Sequence, residues 1–295
     1  MVFNFDTCWE NGAYGSVNKS DDEIKTDLVS LKKNFKRWYD DCHPYCDMPV
    51  YWLNHDHPRL MSQYGDLEYR KESGKMLETV LMMLYGLPFI YQGEEIGMSN
   101  VNFDDIEDFY SDVNARNFVK AARRLDGEII LRFLRRCSRV NARTPMQWSA
   151  DSNAGFSRVP PYIKVNDNYP EVNVEKEISD PDSILNYLRE LIKLRKKYND
   201  VVYFGTFEIL DEDNDRLFVF RKSFEDVTLL VIASFTAENM IYEVRGVQVM
   251  LSSNVAKLYQ VETRRINEVI KRNINRFPDT FCFQLTSEEI DELSL

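Results

Sequence analysis

No CxxC spacing occurs among the five cysteines, Cys8, Cys42, Cys46, Cys137 and Cys282, and their number is odd. That scatter excludes a disulfide framework and argues against a zinc site. Cys42 and Cys46 flank His43, but no second ligand pair accompanies them, so no metal and no cofactor are expected. No apolar run approaches the ~20 residues that span a bilayer. The opening MVFNFDTCWE has neither a basic region nor a small-residue cleavage site. The expectation is a cytoplasmic chain with no membrane contact. Basic charge is also short: 37 Lys and Arg stand against 48 Asp and Glu, a net charge of -11. Such a balance argues against a protein that coats nucleic acid or anionic membrane along its whole surface, although it can hide a local basic module. There is no low-complexity tract.

What is present is globular material. Hydrophobic residues make up 44% and aromatics 13% of 295 residues, enough for one large domain or two ordinary ones. Met1 to Phe5, Val50 to Leu53 and Leu87 to Tyr91 are short apolar segments that read as buried strands. From Asp22, the spacing of Ile24, Leu28, Leu31, Phe35 and Trp38 predicts an amphipathic helix, and Glu68 to Tyr85 predicts another that ends at Gly86. Strand-like segments followed by helices and polar loops fit the βα repeat of a barrel or doubly wound sheet, but there are too few of them to close either. Residues 96 to 181 read as a long polar loop with one helix near Ile129 to Arg136. Pro181 and Asp182 then open a helix carrying Ile184, Leu188, Leu191 and Leu194.

The texture changes after that helix. Val201 to Leu210, Arg216 to Arg221 and Val227 to Phe235 read as strands, with DEDND as a turn between the first two. Near Met240 it changes again, to a short hairpin in IYEVRGVQVML, a short helix at Val255 to Leu258 and a basic helix from Glu262 to Ile274. Between Lys257 and Arg276 the charge is opposite to that of the chain as a whole.

YWLNHDHPR, residues 51 to 59, places Asn54, His55, Asp56 and Arg59 just past a buried strand, where polar side chains of a barrel gather around one ligand. Two readings stand side by side: a carboxylate that binds hydroxyls and offsets positive charge, or a turn cap paired with Arg59. Arg143 is open between a binding role and an ion pair that holds its loop. Gln92, Glu94 and Glu95 follow the third strand and read as structural caps.

The Asn-His-Asp triplet at the end of a strand resembles the last sequence block of the α-amylase superfamily, glycoside hydrolase family 13. The resemblance continues through YGLPFIYQGEEIGMSNVNF, NARTPMQWSADSNAGF and VNDNYPEVNV, in the order of oligo-1,6-glucosidase and related α-glucosidases. By that resemblance Asp56 corresponds to the carboxylate that stabilises the oxocarbenium-like transition state, His55 to its neighbouring hydroxyl donor, and Arg59 and Arg143 to arginines lining the glucose subsite. The implied ligand is an α-linked gluco-oligosaccharide.

The departures carry as much weight. Retaining hydrolysis uses two carboxyl groups about 5 Å apart, one attacking and one protonating the leaving oxygen. The family holds these on its fourth and fifth barrel strands, and MVFNFD resembles the sixth. The expectation is therefore a chain without nucleophile and general acid, inactive alone, to which another chain could supply the missing barrel half. Asp6 lies on another strand and cannot fill both roles.

The segment from 240 to 289 instead resembles the ORF6N domain of phage and mobile-element regulators, a family thought to bind DNA, which makes Arg264, Arg265, Lys271 and Arg272 candidate DNA contacts. On charge alone, a solvated basic helix face explains them equally well. The expected organisation is α/β. Residues 1–199 form the C-terminal part (strands 6–8) of a (β/α)8 TIM barrel, 200–238 the truncated start of an antiparallel β domain, and 239–295 a small α+β module. Two functions follow: a remnant glycosidase that keeps half a sugar site, or a DNA-binding regulator with a passenger N-terminal part.

Overall fold

The computed structural model describes residues 5–8, 17–236, 242–245, 247–258, 261–272, 282–286 and 288–289. They fall into two compact units, 1–235 and 236–295. Residues 1–4 of the expected first strand lie outside the described residues, and Asp6–Cys8 form a single 3-10 turn.

In the first unit, α1 spans Leu28–Cys42 and buries Leu28, Leu31, Phe35, Tyr39 and Cys42, a helical stripe. It does not begin at Asp22 as expected. Ser20 and Glu23 cap only the short 3-10 turn Asp21–Glu23, because Ile24 is extended. The helix proper starts where the Asp27 carboxylate accepts the Ser30 N–H at 2.9 Å. Next come β1 (Pro49–Val50), α2 (Leu60–Gln63), α3 (Arg70–Met83) and β2 (Leu87–Pro88). The two strands pair in parallel, Pro49 with Leu87 and Val50 with Pro88, so this stretch is a strand-helix-strand crossover. Their ladder is shorter than the apolar runs predicted. The turn into β2 needs Gly86, whose φ is +108°: a Cβ there would lie 2.0 Å from the Met48 carbonyl oxygen.

The stretch expected as a long loop holds more helix than its polarity suggested. In addition to α5 (Gly127–Cys137), it contains α4 (Val113–Ala121) and α6 (Val174–Ser179). Helix α4 buries only Ala115, so it has no apolar stripe to read. Val101, Phe103, Phe109, Ile130, Leu131, Leu134 and Val140 pack as a separate small core.

Helix α7 (Ile184–Lys197) starts at Ser183, whose side chain accepts the Asn186 N–H. Its Arg195 donates to the carbonyls of Met82, Leu84 and Gly86, which fixes the end of α3 and the entry to β2. Residues expected to open a strand at Val201 are instead in α8 (Asn199–Tyr203). The sheet then runs β3 (Thr206–Leu210), β4 (Leu217–Phe224) and β5 (Val227–Ser234), antiparallel in that order. The main core is continuous across it: Phe35 of α1 stacks on Phe218 of β4 at 6.1 Å, and Leu77, Leu188, Phe220 and Val231 belong to the same cluster. The amine of fully buried Lys32 donates to the Asp211 and Asn214 carbonyls at 2.9 and 2.7 Å, which ties α1 to the β3–β4 turn.

The second unit contains an antiparallel hairpin of β6 (Tyr242–Val244) and β7 (Val247–Val249), then α9 (Ser252–Leu258) and α10 (Thr263–Arg272). The hairpin falls where it was expected. The basic helix starts one residue later than predicted, and its predicted end at Ile274 lies outside the described residues. Among the described residues no helix is long and apolar enough to cross a membrane.

Candidate active site

Past β1 the chain turns tightly: Asn54 Oδ1 accepts the Asp56 N–H at 2.8 Å, and the Asn54 carbonyl accepts the His57 N–H at 3.2 Å. The turn leaves the Asp56 side chain 43% exposed. Arg143 Nη2 and Arg139 Nη1 both donate to Asp56 Oδ1, at 2.8 and 3.0 Å, and Arg143 Nε donates to the His55 carbonyl at 2.8 Å. The other oxygen, Oδ2, faces His55 Nε2 at 3.6 Å. Burial opposes ionisation of Asp56, but the Arg139 hydrogen bond and the charges of His55, Arg139 and Arg143 outweigh it. The carboxyl is held below its ordinary value. Burial pushes the adjacent His57 imidazole down to about 4, so that ring stays neutral.

Arg139 bridges two carboxylates. Its Nε donates to Asp112 Oδ1 at 2.8 Å while Nη1 reaches Asp56. Asp112 is buried, and here too the Arg139 hydrogen bond overcomes burial and lowers the carboxyl. Sequence reasoning missed Arg139. The available signal was its i, i+4 spacing to Arg143, which a single turn, Arg139–Arg143, converts into two guanidinium groups on one acceptor.

Arg59 does not join this group. It is 1% exposed; its Nε donates to the Asn141 carbonyl at 2.9 Å and its Nη1 to the Gln92 carbonyl at 2.6 Å. Nη2 meets Thr144 Oγ1 at 3.2 Å. Burial lowers its pKa to about 10, still charged at neutral pH. The guanidinium is thus a clamp between three loops. Of the two readings of Asp56, the pair with Arg59 is not formed: Arg59 turns inward and Arg139 and Arg143 meet Asp56 instead.

After β2, Glu94 Oε2 accepts the Tyr91 N–H at 3.2 Å and Glu95 Oε2 the Gly93 N–H at 2.7 Å, a structural role as expected, but not at the surface. Glu94 is buried against Glu78 of α3, with Glu95 nearby. Burial first, then the neighbouring Glu95 charge, raises Glu78 to about 8; burial and Glu78 raise Glu94 well above the ordinary range. Both carboxyls are thereby biased toward the protonated form. Helical spacing from Gly74 and to Leu81 places Glu78 on the buried side of α3, and that was the readable signal. Asp6 accepts from the Trp38 indole at 2.9 Å and pairs with Arg37. Among the described residues no three His, Cys, Asp or Glu are placed to hold a metal ion.

In the second unit, Arg265, Lys271 and Arg272 are exposed on α10, and Arg264 donates to Glu268 at 3.0 Å. Arg264 therefore has an acidic partner on its own helix.

With this geometry, residues 1–204 match the family model described as alpha amylase, catalytic domain. The chain belongs to that family. Residues 239–295 match the ORF6N domain model. Among particular relatives, the chain is 44% identical over 220 residues to the oligo-1,6-glucosidase of Bacillus cereus, covering 73% of this chain and 39% of that one. It is 41% identical over 217 residues to the trehalose-6-phosphate hydrolase of Escherichia coli (strain K12), covering 72% and 39%. The solved trehalose-6-phosphate hydrolase of Bacillus licheniformis superposes with a TM-score of 0.74 at 38% identity, over 83% of this chain and 44% of that one. The chain thus spans about two fifths of the length of these relatives. Residues 1–204 are part of a family 13 catalytic domain.

Proposed function

We propose that residues 1–199 are the barrel of an α-glucosidase from its sixth strand onward, that 200–238 begin its β domain, and that Asp56 is the carboxylate that stabilises positive charge on a bound glucose. The observation that carries this reading is the pair of arginines on one oxygen of a half-exposed, ionised Asp56, with Oδ2 turned to His55. An anionic oxygen at that position can accept sugar hydroxyls and offset an oxocarbenium-like charge. His55 and Arg143 are the accompanying sugar contacts. Arg59 holds the loops from beneath.

The same arrangement does not complete a hydrolytic pair. Asp112, the carboxylate bound to the same Arg139, is buried and held ionised, so it cannot donate a proton to a leaving oxygen. Asp56 itself is held ionised too. The 295-residue chain alone is therefore expected to leave isomaltose and p-nitrophenyl α-glucoside at the buffer rate. Turnover that disappears in Asp56→Ala would overturn this reading.

A second reading concerns residues 239–295. The exposed Arg265, Lys271 and Arg272 on α10, within the ORF6N match, support phosphate contact by that helix. Arg264, engaged by Glu268, is a weaker contact. Retention of duplex DNA by the full chain should fall as salt rises, and Lys271→Glu with Arg272→Glu should weaken it across sequences. Binding indifferent to both would exclude DNA as the partner.

A further inference from the structure

Cys42 is the last residue of α1, and the chain folds back on it at once: the Cys42 carbonyl accepts the Tyr45 N–H at 2.7 Å and the Cys46 N–H at 2.8 Å. Through that second bond and standard backbone lengths the Cys42 and Cys46 Cα atoms lie within about 7 Å of each other, and the bend at the carbonyl carbon brings them closer. Disulfides form at Cα separations of about 4.4–6.8 Å. The two thiols are free and in hydrogen-bond contact. Cys42 belongs to the main core, whereas Cys46 is exposed. The far side of the turn is anchored, because the Tyr85 hydroxyl donates to the Cys46 carbonyl at 2.9 Å and the Tyr203 hydroxyl donates to Asp47. The pair precedes β1 and Asp56 follows it, so the thiols stand at the opposite end of that strand from the sugar-site carboxylate.

We infer that Cys42 and Cys46 form a reversible redox pair, a modification site that a hydroperoxide closes to a disulfide and a thiol reductant reopens. Exposed Cys46 reacts first. Its thiolate attacks one peroxide oxygen and the O–O bond breaks; the sulfur is oxidised to a sulfenic acid, the peroxide is reduced, and the departing oxygen takes up the proton that the thiol gave. Cys42 reacts second: its sulfur attacks the Cys46 sulfur, the S–O bond breaks, and the Cys42 proton leaves with that oxygen as water. With hydrogen peroxide, two thiols thus give one disulfide and two waters. Burial, and then the Cys46 thiol, push the Cys42 thiol up to about 11, which leaves the exposed sulfur to meet the oxidant. Because the sulfurs already touch, closure is intramolecular and outruns further oxidation of Cys46.

The test treats the reduced full chain with hydrogen peroxide, unfolds it, alkylates the remaining thiols and maps tryptic peptides by mass. Both cysteines fall in the peptide of residues 38–59, which has no internal Lys or Arg. The expected result is that this peptide becomes lighter by two hydrogens, carries no added oxygen and takes no alkylating agent, and that dithiothreitol restores both thiols. Cys46→Ser removes the exposed partner without altering the core, and in this variant Cys42 should stay reduced and alkylatable under the same treatment. A peptide that remains fully alkylatable after peroxide would overturn the inference. So would sulfinic acid at Cys46 of the parent chain, a disulfide from either residue to Cys137, Cys282 or a second chain, or equal oxidation of Cys42 in the parent and in Cys46→Ser.

Discussion

Asp56 and Glu94 stand at the same distance beyond their strands: β1 ends at Val50 and β2 at Pro88, and each carboxyl follows six residues later. Their states are opposite. Asp56 meets Arg139 and Arg143 at the surface and is held ionised; Glu94 meets Glu78 in the interior and is held protonated. Strand, loop length and carboxyl type are too similar to produce that difference. It comes first from burial, nearly complete for Glu94 and partial for Asp56, and then from the partners, which arrive from a distant loop for Asp56 and from α3 for Glu94. Position along the chain predicts where a carboxyl stands, and its burial and partners together decide what it can do.

The comparison breaks most sharply at Arg139, which neutralises both Asp56 and buried Asp112. Arg139→Ala should cost roughly 2–4 kcal/mol in chemical denaturation, because it leaves Asp112 charged and buried. Arg143→Ala removes a more exposed pair and should cost under about 1 kcal/mol. Equal losses in the two variants would mean that Asp112 does not depend on Arg139.

A smaller, pH-dependent effect is expected from the buried pair. Glu78 has a folded pKa raised to about 8, so its contribution is fully present below the ordinary carboxylate value of 4.5 and is lost as pH rises through about 8. Melting temperature should therefore fall between about pH 4.5 and about pH 8, and Glu78→Gln, which cannot ionise, should flatten that fall. An unchanged slope in the variant would assign the loss to groups other than Glu78; Lys222, buried and lowered to about 7, works in the opposite direction and adds stability as pH rises above about 7.

How much of this was legible in sequence depends on how local the cause is. The stripe of α1, the apolar spacing of α7 and the strands β4 and β5 follow from patterns within a few residues, and they were readable, although α7 was opened at Pro181 and Asp182 instead of at its Ser183 cap. The first turn of α1 was misplaced because two N-cap signals, Ser20 and Asp27, compete, and only the second is followed by a continuous buried stripe. The extents of β1 and β2 were overestimated because an apolar run reports burial, and Tyr51, Trp52 and Leu53 are buried beyond the two-residue ladder. Asp56 was found through its motif. Its true partners were not, since Arg139 is brought to it by a loop more than eighty positions away, and Arg59, adjacent in sequence, is drawn inward by carbonyls of two other loops.

The contrast between the two carboxyls is tested most directly by site-resolved titration of the full chain, with carboxyl-labelled Asp and Glu followed by NMR. The expected result is a midpoint for Asp56 below the ordinary 3.8 of an aspartate and midpoints for Glu78 and Glu94 above the ordinary 4.5 of a glutamate. A midpoint for Asp56 above 3.8 would contradict the account, because a carboxyl that readily takes up a proton could not serve as the fixed anion proposed for the sugar site.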